Sequence, residues 1–130
     1  MSYCFNKTLK NRNFDTVIDQ VTEELKNQGF GVLSEIDVKS TLKKKIDVDF
    51  RKYRILGACN PVFAHKALTV EPHIGVFLPC NVVVQENKNG DVEISAVDPI
   101  ASMMSVENES LGTLASEVQL MMKKVIDNLS

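Results

Sequence analysis

Apolar positions along the chain repeat with two different periods, and these alternate. Phe14, Val17, Ile18, Val21 and Leu25 recur at helical spacing and predict an amphipathic helix. Asn13 is placed to cap it, Asp15 favours its first turn, and Gly29 supplies a left-handed end. A second stripe, Leu111, Leu114, Ala115, Val118, Met122, Val125 and Leu129, predicts a long helix from about Glu109 to Leu129. Asp37 can cap a shorter helix with Val38, Leu42 and Ile46 on one face. Asn60-Pro61 opens another, with Phe63, Ala64, Ala67 and Leu68 as its apolar stripe. Asp98-Pro99 starts a further helical turn running to Met104.

Between the helices the period falls to two. Strands are expected at Ser2–Leu9, Phe30–Ile36 and Asp49–Cys59. In the third, Arg54, Leu56 and Ala58 share one face, and Tyr53, Ile55, Gly57 and Cys59 the other. His73 to Glu86 reads as one long strand or two segments, bent or bulged at Pro79 because proline has no N–H for a ladder. Asn87-Lys88-Asn89-Gly90 is a hairpin turn, and the chain returns over Asp91–Val97 with Val92, Ile94 and Ala96 facing one way. No repeat and no Gly/Ser/Pro-rich linker divides residues 1–130, so a single domain is expected. Its class is α+β: two layers, a mostly antiparallel sheet packed against helices.

Three ordered blocks carry a family likeness. They are Gly29-Phe30-Gly31-Val32-Leu33, Tyr53-Arg54-Ile55-Leu56-Gly57-Ala58-Cys59-Asn60-Pro61, and Ile74-Gly75-Val76-Phe77-Leu78-Pro79-Cys80-Asn81-Val82. With Ala64, Ala67, Leu68 and Asp98-Pro99, the chain resembles the domain of unknown function 302 family over nearly its whole length. The resemblance implies a two-layer fold similar to one repeat of the TATA-box-binding protein, and a homodimer. It implies no activity, and a likeness of fold does not transfer DNA binding.

Composition narrows the classes. The 130 residues carry 15 basic and 17 acidic side chains, a formal net charge of −2. That is not the positive field of a dedicated nucleic-acid binder. Lys43, Lys44 and Lys45, with Arg51, Lys52 and Arg54, are interrupted by Asp47 and Asp49 and read as a solvated face. The opening Met1-Ser2-Tyr3-Cys4-Phe5-Asn6-Lys7 lacks the features of a secretory signal, and no apolar run approaches the ~18 to 20 residues of a membrane span. The expected compartment is the cytoplasm. Three widely spaced cysteines, Cys4, Cys59 and Cys80, do not form a disulfide framework.

Candidate chemistry centres on two Cys-Asn pairs, Cys59-Asn60 and Cys80-Asn81. Cys59 precedes the cap of a helix, where the partial positive charge favours a thiolate. If the two strands are neighbours, Cys59 and Cys80 can face one another, which suits a soft metal ion or reversible thiol oxidation. A strong metal site needs a third group: His65 on the adjacent helix is the candidate, with His73 at the start of the bent strand as the other histidine within reach. Against this stands burial of both cysteines as small apolar residues. Asn60 is a helix cap first. Asn81, an amide inside an apolar run, must find a partner, either backbone beside Pro79 or a ligand. The methionine pairs 103–104 and 121–122 are expected in the core, and Leu120 on the exposed side. No nucleophile elbow or acid–base pair is present.

The sequence therefore points to a homodimeric domain that binds a small molecule or soft metal ion near Cys59, Asn60, Cys80 and Asn81. Two other classes stay open. One is a thiol-based redox or sulfur-handling enzyme using Cys59. The other is a structural or partner-binding module with inert cysteines.

Overall fold

The computed structural model describes residues 2–130. The chain runs β1 (Cys4–Leu9), α1 (Phe14–Asn27), β2 (Gly31–Asp37), α2 (Val38–Ile46), β3 (Tyr53–Cys59), α3 (Pro61–Val70), a 3-10 helix (Pro72–Phe77), β4 (Cys80–Glu86), β5 (Val92–Val97), α4 (Pro99–Ser102) and α5 (Glu109–Asp127). The strands form one antiparallel sheet in the order β1-β5-β4-β3-β2.

Alternation along each strand decides which face is covered. Leu56 and Ala58 of β3, Val82 and Val84 of β4, and Val92, Ile94 and Ala96 of β5 point to one side and are buried. Phe14, Val17, Ile18, Val21 and Leu25 of α1 and Val118, Met122, Val125 and Ile126 of α5 close over them. The opposite face of the sheet carries Ile55, Val83, Ser95 and Val97 and remains partly exposed. The architecture is thus α+β in two layers, as the alternation of periods predicts.

The helix caps follow the sequence closely. The Oδ1 atoms of Asn13, Asp37, Asn60 and Asn108 accept from Thr16 N, Ser40 N, Phe63 N and Leu111 N at 3.0 to 3.4 Å. Gly29 has φ +86°, so the left-handed end of α1 forms as expected. A Cβ at Gly29 would also stand 3.0 Å from the Asn60 amide nitrogen, so the bare backbone lets β2 start close against the α3 cap.

Some expectations need correction. The segment after α3 is not a long strand. Pro72 sits in the first turn of a 3-10 helix, and the ladder begins only at Cys80, directly after the proline that cannot donate to it. β1 and β3 are shorter than expected, and Tyr3 is exposed. The stripe of α2 is not buried: Ile46 is exposed, because α2 lies at the sheet margin rather than over the core. Met122 is fully buried, whereas Met104 stands in solvent. The basic run behaves as a solvated face. Lys43 pairs with Asp47 and Asp49, and Arg54 with Glu35 and Asp37.

Candidate functional site

The buried side chains do not fuse into one core. The main cluster lies between the sheet and helices α1 and α5. A second, smaller one joins Ala67 of α3, Ile74 of the 3-10 helix and Leu111 of α5, with Leu78, Met103, Val106 and Leu114 packed around it. Between the two lies a cavity of about 390 Å³. Phe30, Ala58, Cys80 and Val118 reach it from the main cluster, and Ala67, Leu78, Met103, Leu111 and Leu114 from the smaller one.

Small side chains keep this space open. Along α3 the cavity wall is Phe63, Ala64, Ala67 and Leu68, the stripe expected to pack tightly. Only Ala67 of α3 is buried, and Leu68 is 43% exposed. Ala115 faces them from α5, and Leu33, Ser34 and Pro79 form part of the rim. Among the described residues, no Asp, Glu, Lys, Arg or His lines it. Its hydrogen-bonding side chains are Ser34, Cys59, Asn60 and Cys80, grouped where β2, β3 and β4 reach α3.

Three of the four expected ligand-binding residues therefore share one wall. The register sets Cys80 opposite Ala58, one residue from Cys59, and the two sulfurs are close enough that a charge on one opposes a charge on the other. Burial, with a smaller contribution from Cys59, pushes the Cys80 thiol up to about 11. The sulfur of Cys80 is thus a neutral, weakly polar part of the wall at neutral pH. Cys59 is half-buried immediately before the α3 cap. The Asn60 carbonyl oxygen caps α3, while its amide nitrogen lies 4.0 Å from Met121 Sδ.

Asn81 is a correction. It pairs with Gly57, on the face of the sheet turned away from the helices, and is exposed. Exposed there, its amide needs no partner within the chain, and the alternation that buries Cys80 carries its neighbour out of the site. His65 is the second correction. It is exposed on the far side of α3 and does not line the cavity. Among the described residues, no group of three His, Cys, Asp or Glu is arranged to hold a metal ion, so Cys59, Cys80 and His65 do not assemble as ligands.

The rest of the wall escaped sequence reading because small and apolar residues at helical spacing look like core. The available signal was their size. Ala58, Ala64, Ala67 and Ala115 concentrate where helices meet a sheet, and such a concentration fills space poorly.

The family model described as "Domain of unknown function DUF302" matches residues 5–129. The chain belongs to this family. A solved DUF302 structure, the crystal structure of an uncharacterized conserved protein from Bacillus stearothermophilus, superposes with a TM-score of 0.89 at 27% identity, covering 98% of each chain. The DUF302 fold thus extends over the sheet, the helices and the cavity walls alike. None of the curated proteins matches the chain. Among the described residues, no helix is long and apolar enough to cross a membrane.

Proposed function

We propose that this DUF302 domain is a non-enzymatic small-molecule-binding module whose ligand occupies the cavity beside Cys59, Asn60 and Cys80. The cavity carries the reading. The space is open to solvent at a rim that includes the exposed Leu33 and Leu68, so its apolar walls face water until something covers them. Its volume and its almost wholly apolar walls fit a site for an apolar small molecule.

The chemistry on the wall favours binding over thiol catalysis. Cys80 is held protonated, and among the described residues no base lines the cavity and no metal-holding cluster is arranged beside the sulfurs. We propose further that the domain acts as a homodimer, with the helix-free face of the sheet around Ile55 and Val83 as the pairing surface. Those apolar residues, partly exposed on that face, support it.

Titration with the neutral fluorophore N-phenyl-1-naphthylamine tests the binding reading. Saturable enhancement with a Kd on the order of 10–100 μM is expected for a ligand of that size. Ala64→Phe, which pushes a ring into the cavity from the half-buried side of α3, should weaken it at least tenfold. Equal binding by wild type and variant, or no binding by either, contradicts the proposal.

A further inference from the structure

The cavity is wet at one end and dry at the other. Of the described residues that line it, Leu33, Ser34, Leu68 and Pro79 are exposed, and they form its mouth where β2, α3 and the approach to β4 come together. Ser34 and Pro79 meet over Gly57, where a Cβ would collide with both. Away from the mouth the lining is buried: Ala58 from β3, Ala67 from α3, and Leu111, Ala115 and Val118 from α5. A molecule entering past Leu33 and Leu68 therefore travels from water toward a dry floor against α5.

The dry end offers a ligand almost nothing to hydrogen-bond. Ala115 and Val118 project from the middle of α5, whose backbone groups bond within the helix. The edges of β3 and β4 are joined in their ladder. Asn60 is already engaged: its carbonyl oxygen accepts from Phe63 N, and its amide nitrogen lies beside Met121 Sδ and Gly29. Cys80 presents a thiol, at most a weak donor. Ser34 carries the one hydroxyl among the described lining residues, and it stands at the mouth.

A hydroxyl or carboxylate carried to the floor would give up its water and gain no partner, whereas one left at the mouth keeps its water. We infer that the cavity takes its ligand apolar end first, and that its ligands are hydrophobic molecules with polar groups at one end only. The hydrophobic body lies against Ala115 and Val118, and the polar end stays in water between Leu33, Ser34, Leu68 and Pro79. Molecules polar at both ends are rejected, while a charge is tolerated at the outer end. This inference rests on the cavity reading above and adds to it the ligand class and its orientation.

The test is displacement of N-phenyl-1-naphthylamine by rigid naphthalenes that differ in where their polar groups sit. 2,3-Naphthalenediol and 2,6-naphthalenediol have the same atoms, but the first carries both hydroxyls at one end and the second one at each end. The 2,3-isomer should bind roughly tenfold more tightly or better, because the 2,6-isomer buries a hydroxyl without a partner. 2-Naphthoate should bind within about threefold of 2-naphthol, because its carboxylate stays in water. At low ionic strength Leu68→Lys should raise the affinity for 2-naphthoate relative to 2-naphthol several-fold, and Leu68→Glu should lower it, since the polar end lies beside that position. Equal binding of the two diols would overturn the dry floor. Loss of 2-naphthoate binding by roughly a hundredfold relative to 2-naphthol, or an affinity ratio that moves with neither Leu68 variant, would overturn the placement of the polar end at the mouth. Failure of all four naphthalenes to displace a fluorophore that does bind would overturn the ligand class while leaving the cavity a ligand site. Absence of fluorophore binding would instead remove the cavity reading, and this inference with it.

Discussion

Titration of the buried thiol gives a quantitative check on the cavity wall. Cys80 is 8% exposed, and its pKa is raised from an ordinary 9.0 to about 11. The perturbation is a rise in pH from 7 to 11, applied to wild type and to Cys80→Ala. At pH 8 an ordinary thiol is about one-tenth thiolate, whereas Cys80 should be about one-thousandth, so its alkylation is slowed about a hundredfold before access is considered. The same shift links pH to stability. Between about pH 9 and 11 the unfolded chain has released this proton while the folded chain retains it, so stability falls as pH rises. Two units correspond to about 3 kcal/mol, present in full below pH 9 and lost as pH passes 11. Iodoacetamide labelling read by mass spectrometry follows the first effect, and urea unfolding at each pH follows the second. Cys80→Ala should lose stability at neutral pH and show a shallower decline above pH 9. Labelling of native Cys80 at pH 8 at a small-molecule thiol's rate, or parallel stability profiles for the two proteins, would refute the reasoning.

Two further outcomes are expected. Gly57→Ala puts a Cβ against Ser34 Oγ and 2.8 Å from Pro79 Cγ, and the rigid ring yields little. It should cost about 1–3 kcal/mol, a fall in Tm of roughly 3–10 °C, and adding Pro79→Ala should recover part of it; an unchanged melting curve would show that the β3–β4 entrance is loosely packed. Val83 stands opposite Ile55 on the helix-free face, so Val83→Glu should convert a dimer of 14.5 kDa chains to monomer in sedimentation, and a wild type that is already monomeric at micromolar concentration would remove the pairing proposal.

Much of the fold was legible because burial follows periodicity. Phe14, Val17, Ile18, Val21 and Leu25 face the sheet as their spacing predicts, and Val92, Ile94 and Ala96 do so with period two. Asn13, Asp37, Asn60 and Asp98 mark helix starts correctly because a short side-chain acceptor meets N–H groups that the first turn leaves unpaired. The segment 72–78 misled because its apolar content resembles a strand, while Pro72 and Gly75 suit a tight helical turn and Pro79 delays the ladder. Cys59, Asn60 and Cys80 stand out in the sequence through their polarity in apolar surroundings, and all three line the cavity. Asn81 obeyed the same cue but points the other way, because adjacent strand residues take opposite faces. The alanine walls carry no polar mark. Their role follows from the space they leave, which depends on how α3 and α5 approach each other across the chain.

The central claim is that the space beside Cys59, Asn60 and Cys80 receives an apolar ligand. Amide chemical-shift mapping of the ¹⁵N-labelled protein during titration with decanol tests it most directly. Saturable shifts confined to the start of β2, the facing ends of β3 and β4, α3, residues 99–103 and the first half of α5 are predicted. Shifts on the helix-free face around Ile55 and Val83, or none at saturating decanol, would contradict it.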